Sequence, residues 1–154
     1  MKKLILPLVV LCLICLPVSA GAKDTTIPES QQELCKSLGE EYGIQPELLE
    51  AIIEQESQGQ MSAKNGSCYG ICQINGAVHG YGYDTEEKQI RKACEILLYY
   101  DCEVAEALSH YNGQKEYRYE GYVEEVLTRS HELELIHYGQ GLSLETADGE
   151  IKTL

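Results

Sequence analysis

The chain has 154 residues and a formal net charge of −13, with eleven tyrosines and neither phenylalanine nor tryptophan. Its length suits one domain of ordinary size behind an export segment. The acidity argues against nucleic acid and anionic membrane surfaces as partners, and any anionic polymer would have to be gripped by hydrogen bonds and stacking rather than by charge.

Residues 1–20 read as a signal peptide. Lys2 and Lys3 form a basic start, Leu4 to Val18 is an apolar run broken by Pro7 and Pro17, and Val18-Ser19-Ala20 supplies small residues for cleavage. Ala20-Gly21-Ala22 offers a second cut two residues on. The run is too short and too broken for a good membrane span, so no stable insertion after cleavage is expected, with a retained N-terminal anchor as the alternative. Cys12 and Cys15 have no small residue before them, which argues against a lipoprotein site. Cleavage removes Lys2 and Lys3 and leaves a charge of about −15. The expectation is an exported protein, secreted or associated with the cell wall, and monomeric.

Residues 21–29 look like a short flexible lead. Ser30 and Glu33 have the spacing of a capping box and open a first helix with Leu34 and Leu38 inward, which Gly43 ends. Pro46, at a first helical position, opens a second helix through Ser57. On it Leu49, Ile52, Ile53 and Glu56 fall at i, i+3, i+4 and i+7, one stripe that ends in a carboxylate. Glu47, Glu50 and Glu54 fall on the opposite side and read as the polar face. Gln58 to Ser67 is a loop, and Tyr69 to Asn75 has too few apolar residues to fix strand or short helix. Gly76, Gly80 and Gly82 mark another loop.

Asp84 and Glu87 read as the cap of a third helix, with Ile90, Cys94, Leu97 and Leu98 on one face. Asp101 reads as the cap of a fourth, with Val104, Ala107, Leu108 and Tyr111 inward and Asn112-Gly113 as its stop. The last helix runs from Tyr122 to His137 on a stripe of Val123, Val126, Leu127, Ser130 and Leu133. Residues 138–154 show no sustained period and read as a mobile tail. Five or more helices with short loops predict an all-α domain.

Glu56 is the residue with the clearest chemical meaning. A carboxylate continuing an apolar stripe is desolvated, and it also sits at the negative end of the helix dipole; both raise its pKa. A carboxylic acid that keeps its proton near neutral pH can protonate a leaving group. The competing reading is a stripe that ends at Ile53, with Glu56 in solvent. Asp84 and Asp101 are the candidates for a second carboxylate, and a helix cap is the simpler explanation of both. Cys35, Cys68, Cys72, Cys94 and Cys102 remain after cleavage, an odd set with no CxxC spacing, and the four histidines are scattered. No metal site and no cofactor are expected. Cys94 and Cys102 either bridge two helices or sit as two thiols.

Four pieces stand in order: Glu56-Ser57 at a helix end, Gly70-Ile71-Cys72-Gln73-Ile74, Ser109-His110-Tyr111-Asn112-Gly113, and Tyr122-Val123 with Val126. In this order the chain resembles the catalytic domain of soluble lytic transglycosylases, the lysozyme-like SLT family, over about Leu34 to His137. The resemblance implies a lysozyme-like helical domain over residues 30–137 with a glycan-binding cleft. It implies Glu56 as the single catalytic acid, and Ser57, Gln73, Tyr111, Asn112 and Tyr122 as substrate-binding residues, the Tyr122 hydroxyl lying near the acid. The partner it implies is the peptidoglycan glycan strand, cleaved without water to 1,6-anhydromuramic ends.

Three positions depart from the family pattern. Cys72 stands where the family has methionine, His110 where it has alanine, and Gln89 near where it has asparagine. The gap between Gln73 and Tyr111 is also short. Taken alone, Tyr111 and Tyr122 equally suit core packing, Gln73 an edge position, Asn112-Gly113 a helix stop and His110 an exposed helix end. The rival functions are a muramidase that uses water, an inactive wall-binding module and a secreted acidic interaction protein.

Overall fold

The computed structural model describes residues 24–139, 143–145 and 151–153. The signal-peptide reading of residues 1–20 lies outside the described residues. The described chain is mostly helical, as expected, with a small three-stranded sheet that the sequence reading did not foresee.

Helix α1, Glu29–Tyr42, starts behind Pro28, whose carbonyl accepts the Gln31 and Gln32 N–H groups at 2.9 and 3.2 Å. No side chain caps it, so the Ser30–Glu33 capping box does not form; Pro28, two residues earlier, has already set the entry. Gly43 closes it with a left-handed φ of 70°, a conformation that glycine adopts without steric cost. The preceding residues are packed rather than free. Ile27 is buried, and Thr25 and Thr26 donate to the Glu54 carboxylate at 3.0 and 2.6 Å.

Helix α2, Pro46–Ser57, is the centre of the molecule, packed against both α1 and α6, Tyr122–Gly139. Leu48, Leu49, Ala51, Ile52 and Ile53 are all buried, and these positions cover more than one side of a helix. The expected polar face is therefore absent. Glu47 and Glu50 are buried, and Glu54 is paired with Arg129 at 2.6 Å. Glu54 and Glu47 are thus matched by Arg129 and His137 of α6, at 2.6 and 3.0 Å, whereas Glu50 Oε2 is buried without a hydrogen bond.

The segment after α2 forms β1, Lys64–Asn65, β2, Cys68–Tyr69, and β3, Ile74–Asn75, an antiparallel sheet with Lys64 opposite Tyr69 and Tyr69 opposite Ile74. Asn75 then caps the short helix α3, Gly76–His79, accepting from the Ala77 N–H at 3.1 Å. Helix α4, Glu86–Tyr99, is capped by Thr85, not Asp84; the Asp84 carboxylate pairs instead with Lys88 at 2.6 Å. Ile90, Cys94 and Leu97 face the core, whereas Leu98 is exposed, one residue past the buried stripe.

Asp101 caps nothing either. It takes a left-handed turn, φ 47°, that reverses the chain into helix α5, Val104–Tyr111. Ala107 and Leu108 of α5 are buried, but Val104 in its first turn is exposed. Asn112 and Gly113 close it. Helix α6 buries Val123, Val126, Ser130 and Leu133 against α2 and α5 and continues two residues past His137. Within the expected tail, β4, Ser143–Glu145, and β5, Ile151–Thr153, pair as a short antiparallel hairpin.

Cys35, Cys68, Cys72, Cys94 and Cys102 are all thiols. Burial pushes Cys94 up to about 11 and Cys35 and Cys72 well above the ordinary thiol value, so the three behave as small apolar core residues.

Candidate active site

The last turn of α2 and the first residue of α6 meet at one contact: the Tyr122 hydroxyl donates to Glu56 Oε1 at 2.7 Å. The preceding residues Leu49, Ile52 and Ile53 of the same stripe are almost inaccessible, so Glu56 emerges from the core half-buried. Burial raises its pKa and the Tyr122 hydrogen bond opposes that rise, with a net upward shift. Burial first, and then the neighbouring Glu56 charge, push the Tyr122 phenol far above its ordinary value, so Tyr122 stays protonated and acts only as a donor to Glu56.

The loop from Gly70 to Gln73 underlies the site, with Gln73 in the cavity wall, and Ser57, Gln73 and Tyr111 are tied to its carbonyls. Gly70 has φ 79° and lies so close to the Gln89 side-chain amide that a methyl group there would collide with it. The Gly70 carbonyl accepts from Gln73 Nε2 at 2.9 Å, the Ile71 carbonyl from Ser57 Oγ at 2.8 Å, and the Cys72 carbonyl from the Tyr111 hydroxyl at 2.7 Å. From the other side, fully buried Gln89 accepts the Cys72 N–H at 3.3 Å and donates to the Tyr83 carbonyl at 2.8 Å. Gln73 itself has φ 47°, a strained position for a residue with a side chain, costing about 1–3 kcal/mol and held by these bonds.

A cavity of about 280 Å³ opens above this loop. Glu56, Gln73, Tyr111 and Asn112 all line it, although they come from three separate stretches of the chain. Two other expected residues sit behind the wall. Tyr122 reaches Glu56 from α6, and the Ser57 hydroxyl is engaged on the Ile71 carbonyl, so Ser57 positions the loop rather than facing the cavity. The Tyr111 hydroxyl is engaged in the same way, leaving its ring as the cavity surface.

Among the described residues Glu56 is the only carboxylate in the lining; the other polar groups include Asn65, Asn75, Gln73 and Asn112. Neither Asp84 nor Asp101 reaches it. His110 is not an exposed helix end. It lines the cavity with its ring stacked on Tyr100, centroids 4.3 Å and 18° apart, and its Nδ1 lies 3.1 Å from the Gln114 carbonyl. His79, also in the lining, has its pKa lowered by burial and by Lys92.

A second polar cluster escaped the sequence reading. His137 of α6 lies 3.0 Å from Glu47 and 3.9 Å from Glu50, beside a depression of about 430 Å³ between α1, α2 and α6. Burial pushes Glu50 up to about 7 against the pull of His137, and its Oε2 is buried without a hydrogen bond. The sequence signal was available: a helix with leucine, isoleucine and alanine on more than one side has no solvent face for its glutamates. Among the described residues no cluster of three or more His, Cys, Asp or Glu side chains is arranged to hold a metal ion. No helix among them is long and apolar enough to cross a membrane.

No known family's sequence model matches this chain, and no curated protein matches it at a significant level.

Proposed function

We propose that the protein is an exported peptidoglycan lytic transglycosylase with a lysozyme-like helical domain, and that the Glu56 cavity is its glycan cleft. The observation that carries this reading is a single carboxylate among the described lining residues, Glu56, raised in pKa, held by one tyrosine hydroxyl and facing a cavity whose other walls are amides, tyrosine rings, histidines, Ile74, Ile96 and Cys68. The four motif pieces supply the family; the convergence of Glu56, Gln73, Tyr111 and Asn112 on one cavity supports it.

In this mechanism the Tyr122 hydroxyl occupies Glu56 Oε1, which leaves Oε2 to carry the proton. Glu56 protonates the oxygen between N-acetylmuramic acid and N-acetylglucosamine, and the bond to the anomeric carbon breaks as positive charge develops there. The C6 hydroxyl of the same muramic residue then attacks that carbon and returns its proton to Glu56. The bond formed is the 1,6-anhydro ring, the bond lost is the glycosidic bond, and no water is consumed. Hydrolysing glycosidases use two carboxylates at defined separation; a substrate that supplies its own nucleophile needs only one. Burial and the Tyr122 bond act in opposite directions on Glu56, which suits a group that must both give and take a proton.

Purified cell-wall sacculi incubated with the mature protein test the proposal. Soluble muropeptides with anhydro ends are expected. New reducing ends would assign the site to a muramidase, and no release would leave a wall-binding module.

A further inference from the structure

The cavity at Glu56 continues past Tyr100. A second depression of about 340 Å³ lies beyond that ring, and the two share His79, Ile96 and Tyr100 as a common wall. Its outer boundary is formed by Val78, Tyr99 and the Lys92–Glu95 pair. Large apolar groups are unusually open here: Tyr99 is 81% exposed, Val78 70% and Tyr100 41%. The rings are nonetheless held. Tyr100 stacks on His110, and Tyr99 meets Tyr100 edge-on, with centroids 5.2 Å apart and planes at 89°. His110 stands where the resembled family has alanine, so the stack that fixes Tyr100 belongs to this chain.

Open aromatic faces beside hydrogen-bonding groups match the two-sided chemistry of a pyranose, whose axial C–H face is apolar and whose rim is polar. Lys92 and Glu95 neutralise each other at 2.9 Å, so this boundary selects for no net charge. Continuity with the Glu56 cavity decides between occupants, because a chain threaded through the inner cavity emerges onto this face. We propose that the Tyr99–Tyr100 face is an outer sugar subsite, binding the residues of an N-acetylated β-1,4 glycan that lie beyond the bond at Glu56. This rests on the glycan-cleaving function proposed above.

The test uses mature Glu56→Gln protein, which binds without turnover, titrated calorimetrically with β-1,4 N-acetylglucosamine oligomers of two, four and six units. Affinity is expected to rise with length, by about five- to tenfold on reaching the outer face, in line with one aromatic contact. Adding Tyr99→Ala, at an exposed position that carries no core packing, is expected to abolish that gain and leave the dimer affinity unchanged. A gain that survives Tyr99→Ala, or dimer and hexamer binding equally well to the parent, overturns the subsite while leaving the proposed function standing. If no oligomer binds the parent, the glycan reading fails and the subsite with it.

Discussion

Helices α2 and α6 run side by side, and each end of their seam holds a glutamate whose acidity burial has weakened. At one end Glu56 meets the Tyr122 hydroxyl and an open cavity. At the other Glu50 is pushed up to about 7 among Glu47 and Glu54 on its own helix, Cys35 on α1 and His137 on α6, with its Oε2 shut away. A shifted pKa alone would choose Glu50 as readily as Glu56. What separates them is exposure and surroundings: a general acid must touch its substrate, and Glu56 is half-buried in a cavity with amide and ring neighbours, whereas Glu50, at the edge of the larger depression, is only 2% exposed and sits among Glu47, Glu54 and His137. Between the two ends the seam is closed by Gln55 on Glu125 at 2.7 Å and by Arg129 on Glu54 at 2.6 Å. At the Glu50 end the tie between the helices is the His137–Glu47 contact at 3.0 Å, and at the Glu56 end it is the Tyr122 hydroxyl.

The sharpest way to break this comparison is to neutralise each acid in turn. Glu56→Gln is expected to lower muropeptide release by at least ~10²-fold, since it removes the proton transfer and keeps the shape. Glu50→Gln is expected to leave the rate within about twofold. Equal losses in the two variants, measured on sacculi, would erase the distinction.

The middle of the seam comes next. Arg129→Leu removes the charge partner of the Glu54 carboxylate, whose side chain is only 10% exposed and keeps only the Thr25 and Thr26 bonds, and is expected to cost about 2–3 kcal/mol, seen as a lower urea midpoint with an unchanged slope. Burial raises the Glu54 pKa, but Arg129 and the Thr26 and Thr25 bonds outweigh it and hold the carboxyl below its usual range. Its stabilising contribution is therefore present above the unfolded pKa and lost as pH falls. A midpoint shift under about 0.5 kcal/mol would make the pair a surface contact.

Glu50 carries the opposite sign. Its folded pKa is raised, so its contribution is full below the unfolded value of 4.5 and is lost as pH rises through about 7. Melting curves taken across that window should show the wild type losing roughly 1–2 kcal/mol that Glu50→Gln does not lose. Parallel curves would show that Glu50 is not under strain.

The smallest effect is assigned to Tyr122→Phe. Loss of one hydroxyl is expected to reduce the rate several-fold, about 1 kcal/mol, with the fold retained. The bond it removes lowers the Glu56 pKa, so the pH optimum should move upward. No change in rate or optimum would reduce Tyr122 to packing.

The distribution of what was legible follows the range of the interactions. Helix α2 was readable to its ends, because Pro46 and the Glu56 stripe are local signals, and Gly43 and Asn112-Gly113 marked stops for the same reason. The partners of its glutamates were not, since Arg129 is 75 residues from Glu54 and His137 is 90 from Glu47. Caps failed by a few residues each: Ser30, Asp84 and Asp101 gave way to Pro28, Thr85 and Glu103, because a cap is chosen by backbone geometry as much as by side-chain type. Strands of two residues have no period to read. Of the residues singled out by the order of motifs, Glu56, Gln73, Tyr111 and Asn112 share one cavity and Tyr122 meets Glu56 from behind it, but sequence order could not tell a hydroxyl that faces the cavity from one spent on the loop, as those of Ser57 and Tyr111 are.

The central claim, that one carboxylate cleaves the glycan with the substrate as its own nucleophile, is tested most directly by digesting purified sacculi in water enriched in heavy oxygen and weighing the muropeptides formed. Unlabelled anhydro ends are expected with the wild type and are expected to vanish with Glu56→Gln. Heavy oxygen at new reducing ends, or release that persists without Glu56, would contradict the claim.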